Sequence, residues 1–211
     1  MIRTKKLFIL IGIFALLGMV SPLLTRYMSE ILTISMGPTA PIMTLKPVWS
    51  DSWIRFYGNL TQMGGIVIIL FFMSCVSGEK QNRTIELTLS KNLSPTSFIL
   101  AKCLAAILSM LVVFILSVLL CYVYTYYLFG YAGELRDITV SAILFFLFII
   151  ILICFTVFAS TLASSTAISA ILSFVAYVLL LLSAYLPKIG YFMPGKLISI
   201  STGVFKDEIV T

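Results

Sequence analysis

Four long stretches of this chain carry no charged side chain, and their lengths predict its architecture. Residues 7–25 make an uncharged run of 19, residues 56–78 one of 23, residues 103–133 one of 31 and residues 138–187 one of 50. A charge at mid-bilayer costs about 2.5–3.5 kcal/mol, so charges bound the segments that lipid accepts. A helix needs about 20 residues to cross the hydrocarbon. The first two runs therefore read as one helix each, and the third as one long helix with an aromatic end. The fourth has room for two. Its weakest point is Ala163-Ser164-Ser165-Thr166, a small polar step near the middle. The pattern predicts an all-α membrane protein, a polytopic helical bundle with spans at about 7–25, 56–77, 98–128, 139–162 and 167–186. It reads as a single transmembrane domain, 1–211, without internal repeats.

Composition closes off the soluble alternatives. Of 211 residues, 61% are hydrophobic and 10% charged, whereas globular chains carry about 25% charged residues. The net charge of +6 is scattered along the ends of apolar runs and makes no contiguous patch, so nucleic acid is not an expected partner. There is no histidine, which removes zinc hydrolase motifs and Ser–His triads. Cys75, Cys103, Cys121 and Cys154 have no CxxC spacing and read as small buried hydrophobes. No metal site is expected.

Arg3, Lys5 and Lys6 precede the first run, and Ser21-Pro22 follows it without an A-x-A-like cleavage site. The first helix is therefore expected to be retained. Basic residues are densest before the first span and between the second and third, where Lys80, Arg83, Lys91 and Lys102 lie. The positive-inside rule then places the N-terminus in the cytoplasm. Trp49 and Trp53, with Tyr122, Tyr124, Tyr126, Tyr127 and Tyr131, read as an outer aromatic belt at headgroup level. The tyrosines suit a substrate path as well.

Every acidic residue lies outside the predicted spans, which argues against proton coupling and against an intramembrane aspartyl protease. Asn59, Thr61 and Gln62 place polarity near the outer end of the second span. They are candidates for a substrate path or for hydrogen bonding between helices. Residues 190–196 fit G-x-x-x-x-G-K, but Leu197 stands where the Mg²⁺-holding Ser or Thr belongs, and Pro194 lacks an amide. A turn between short outer helices is the better reading. Ala159, Ala163 and Ala167 recur every four residues, as do Ser165, Ser169 and Ser173. These small faces predict close packing of the fourth span on the fifth.

The loop at 78–97 is the most informative segment. Ile85, Leu89 and Leu93 fall on one face of a helix, although 84–90 also alternates as a strand does. Its Glu, Lys and Arg content favours a short helix along the membrane. Ser94-Pro95 reads as a cap and first residue of the third helix. Gly78-Glu79, Arg83-Thr84-Ile85-Glu86-Leu87, Leu89-Ser90, Leu93-Ser94 and Lys102 together resemble the loop after the second helix of ABC-2-type permeases. These are membrane subunits of many bacterial ATP-binding-cassette exporters.

The resemblance implies an exporter permease in the bacterial inner membrane, and the apolar, carboxylate-free interior suits an amphiphile (lipid, peptide or drug) as its substrate. Power would come from two copies of a separate cytoplasmic ATPase docked on this loop, with ATP and Mg²⁺ on the ATPase and no cofactor on this chain. Glu79, Arg83, Thr84, Glu86, Leu87 and Leu89 would form the coupling surface. It also implies a permease dimer and six helices. Residues 187–211 would then be an outer re-entrant segment, with the sixth helix expected beyond the end of this sequence. A non-transporting membrane protein, such as an immunity or sensor subunit, is the alternative. A membrane-embedded enzyme has no base beside its hydroxyl or thiol nucleophiles.

Overall fold

A computed structural model describes residues 4–36, 48–81, 95–183 and 194–205, and among them every regular element is helical. The first helix, α1, covers Thr4–Met36. The second rod is composite: α2 (Trp49–Asn59), a π-helical segment (Leu60–Gly64), α3 (Gly65–Phe72), a break at 73–76, and α4 (Ser77–Gln81). Then come α5 (Pro95–Phe129), α6 (Leu135–Leu162), α7 (Thr166–Ser183) and the short α8 (Lys196–Gly203). Five of these helical stretches are long and apolar enough to cross a membrane.

The chain shuttles between two ends of the bundle. The start of α1, the α4 segment, the start of α5 and the α6–α7 turn share the loop end. The start of α2, the α5–α6 turn and α8 share the aromatic end. Proline at the first position of α5 fits its fixed φ and missing amide. At the α6–α7 turn Ala163 is extended (φ −71°, ψ 142°), and the Ile168 amide donates to Ser165 Oγ at 3.3 Å, capping α7.

Helix α1 crosses α5 at small residues. A Cβ on Gly18 would sit 2.6 Å from the Ser117 carbonyl oxygen, and Ser117 Oγ donates to the Phe14 carbonyl at 2.7 Å. Close approach of this kind drives association where lipid removes the hydrophobic incentive. Around the crossing Leu10, Phe14, Leu17, Met110, Val113 and Phe114 join one continuous apolar core.

At the aromatic end the structure corrects the belt reading for Trp53, while Trp49 is half-buried. Helix α2 begins at Trp49, six residues ahead of the charge boundary at Arg55, so both tryptophans are helical. Trp53 is fully buried, its indole N–H donates to the Ala132 carbonyl at 2.9 Å, and its ring stacks on Phe205 at 5.7 Å. It organises a core beneath α8, which Ser141 Oγ fastens by donating to the Ser201 carbonyl at 2.8 Å. A buried indole needs such a partner. Tyr126, Tyr127 and Tyr131 are exposed, as an interfacial ring requires.

Helices α6 and α7 pack side by side, but the two small-residue series do different work. Ala159 and Ala163 are buried, whereas Ala167 is exposed. On α7 the buried line is Ser169, Ser173, Tyr177 and Leu180. Ser165 serves as the cap instead.

Candidate functional site

The second rod breaks just before the segment that leads into the 82–94 loop. The helical hydrogen bonds back to the carbonyls four residues earlier lapse across residues 74–77, leaving the Val76 and Ser77 amides to find other acceptors. The Cys75 amide instead makes a tight bond to the Phe72 carbonyl at 3.0 Å, and regular bonding resumes with Gly78 to Ser74 at 3.3 Å. Orphaned amides inside a bundle need acceptors.

Ser160 of α6 supplies them. Its Oγ accepts from the Val76 amide at 3.0 Å and the Ser77 amide at 2.9 Å, and donates to the Met73 carbonyl at 2.8 Å. One hydroxyl has two lone pairs and one proton, so this single side chain serves both amides and the Met73 carbonyl at once. The Ser77 and Ser169 hydroxyls also donate to the Met73 carbonyl, each at 2.8 Å. Three hydroxyls, from α4, α6 and α7, thus converge on one carbonyl. All three serines are buried.

Three charged side chains extend the junction. Glu79 pairs with Lys102 of α5, and the Lys102 ammonium lies 5.4 Å from the Phe98 ring centroid. Lys80 donates to the Thr161 carbonyl in the last turn of α6, where a cation also meets the negative end of the helix dipole. The Glu79–Lys102 pair therefore clasps the two stems of the 82–94 loop. Of the coupling residues expected from sequence, Glu79 lies in this clasp. Arg83, Thr84, Glu86, Leu87 and Leu89 lie outside the described residues.

The three candidates for a substrate path have separate surroundings. Asn59 Nδ2 donates to Ser21 Oγ at 3.0 Å, joining the second rod to α1. Thr61 Oγ donates to the Tyr57 carbonyl at 2.8 Å, and the Thr61 carbonyl, within the π-helical segment, accepts from the Tyr177 hydroxyl of α7. Gln62 is exposed on the surface of the bundle. Among the described residues no three His, Cys, Asp or Glu side chains form a metal-binding group. Cys103 and Cys154 place their sulfurs 3.6 Å apart as free thiols.

Ser160, Ser77, Lys80 and Tyr177 were not singled out by the sequence. Ser160 sits in an apolar helix with nothing in its neighbours to distinguish it from Ser141 or Ser173. Lys102 was visible through its place in the loop motif, though without its partner.

Five apolar, membrane-length helices define a multi-pass helical membrane protein, with a polar junction beside residues 82–94. The chain matches the family model described as ABC-2 family transporter protein over residues 1–198, and it belongs to that family. It is accordingly a membrane permease component of an ABC transporter. No curated protein and no solved structure matches this chain.

Proposed function

We propose that this chain is the permease of an ATP-driven exporter, moving an amphiphilic substrate (a lipid, peptide or drug) outward across a bacterial inner membrane. A separate cytoplasmic ATPase docks on the 78–97 loop, with two ATPases serving a permease dimer. ATP and Mg²⁺ are held on the ATPase. The observation that carries this reading is the clasp at the root of the loop. Glu79–Lys102 and Lys80–Thr161 fasten its stem to α5 and α6, so a load applied to the loop reaches the membrane helices instead of bending a tether. A ligand shifts a conformational equilibrium only by its differential affinity for the two states, and ATP supplies that difference on the ATPase.

With the N-terminus cytoplasmic, the loop faces the ATPase. A cysteine introduced at Gln81 is then expected to react with an impermeant maleimide only after the membrane is opened, and one at Thr39 in intact cells. The opposite labelling pattern overturns the orientation and the docking with it. The exposed Gln62 is the best placed of the three path candidates to meet substrate or a second permease.

Docking itself is tested by co-purification. The wild-type permease is expected to retain its ATPase through affinity capture in detergent. Glu86→Arg is expected to insert normally but retain about tenfold less, because a reversed charge on a docking surface leaves repulsion and an unpaired ion. Equal retention removes Glu86 from the contact set. A wild-type chain that captures no ATPase favours a non-transporting sensor or immunity role.

A further inference from the structure

We propose that Ser160 is a positioning residue, the pivot through which displacement of the loop enters α6 and α7 as well as α5. This rests on the exporter reading above. The second rod is the only covalent path from the loop back into the α2–α3 part of the bundle, and it is interrupted at 73–76. A helix lacking consecutive backbone bonds is a poor lever, because the missing bonds are what make it stiff along its axis.

Across that interruption α4 is held by groups from elsewhere. Ser160 fixes the Val76 and Ser77 amides, and Lys80 grips the end of α6 at Thr161. A Cβ on Gly78 would meet Ser74 Cβ at 3.4 Å and Thr166 Cγ2, at the start of α7, at 4.0 Å, both ordinary contact distances. Ser169 ties α7 to the carbonyl on the far side of the break. Groups from α6 and α7 thus hold both sides of the break: Ser160 binds the Val76 and Ser77 amides on one side and, with Ser169, the Met73 carbonyl on the other. Displacement of α4 therefore passes into α6 through Ser160 without depending on the interrupted backbone at 73–76.

The first test needs no ATPase. In the detergent-solubilised permease, the Val76 and Ser77 amides are expected to be protected from hydrogen exchange. In Ser160→Ala they are expected to exchange roughly tenfold faster, since each loses its only acceptor. Unprotected wild-type amides overturn the pivot.

The second test follows the motion. Spin labels at the exposed positions Gln81 and Leu162 are expected to keep one distance when ATP binds the assembled transporter. In Ser160→Ala that distance is expected to change, and transport per ATP hydrolysed to fall about tenfold with ATPase capture unaltered.

Ser141→Ala is the control. It removes a buried serine bond of similar length at the other end of α6 and is expected to lower thermal stability without uncoupling. Equal uncoupling by Ser141→Ala, or a Gln81–Leu162 distance that changes in the wild type, overturns the proposal. Failure of the wild-type chain to capture an ATPase overturns the exporter reading and the transmitting role together; the exchange measurement then still decides whether Ser160 holds the two amides at the break.

Discussion

Gly18→Val is expected to lower the melting temperature in detergent by about 5–15 °C, the largest stability effect of any single substitution considered for this chain. The reason is geometric. Any Cβ at position 18 would meet the Ser117 carbonyl at 2.6 Å and the Ser117 hydroxyl at 3.2 Å, well inside van der Waals contact. The backbone oxygen cannot rotate away as a side chain could. Helices α1 and α5 would have to separate along their crossing, breaking the Ser117–Phe14 bond and loosening the packing of Phe14 and Leu17. Overpacking of this kind costs about 1–3 kcal/mol and the lost hydrogen bond about 1 kcal/mol more. For a chain of this size each kcal/mol shifts the melting point by about 2–4 °C. Gly12→Val is the internal control: a Cβ there meets nothing within 4 Å, so its melting point is expected to stay within about 2 °C of wild type. Equal destabilisation by the two substitutions would show that helix propensity, and not the crossing, sets the cost.

The largest functional effect is expected from Glu79→Lys. It places two ammonium groups against each other where Glu79 and Lys102 now pair, with the two side chains 32% and 20% exposed. Partial burial leaves the repulsion less screened than at an open surface. The stems of the loop are expected to part, and export measured in inverted vesicles to fall about tenfold or more. Exchanging the charges, Glu79→Lys with Lys102→Glu, restores the pair in reverse and is expected to recover most of the export. Coupling energies of about 0.5–3 kcal/mol are usual for groups in direct contact. A double variant as inactive as the single one would assign Glu79 to the ATPase surface, the role expected from the loop motif, and not to the clasp.

The two outcomes for Glu79 mark what a linear reading can reach. The loop motif pointed to Glu79 as functional, but the pairing across 23 residues of sequence with Lys102 depends on how the stems of the loop meet. Asn59 and Thr61 were recognised as polar residues in a span, yet whether they face a path or a neighbouring helix was open on the sequence. In the fold, Asn59 meets Ser21 of α1, while the Thr61 carbonyl is taken by Tyr177 of α7.

The all-helical class and the five membrane-length helices were determined by the sequence alone, because exclusion of charge from hydrocarbon acts on each residue independently of its neighbours. The loop motif likewise identified the family, since it is contiguous in the chain. The inward faces of the helices were decided only by tertiary structure. In water, burial separates apolar from polar faces and writes a period into the sequence. In a bilayer the outer surface is as apolar as the core, so that period fades. Nothing in the pattern could therefore show that Trp53 lies under Phe205 instead of at a headgroup, or that Ala167 faces outward while Ala159 and Ala163 are buried. The same applies to Ser160, whose hydroxyl acquires its role only where α6 runs beside a break in the second rod.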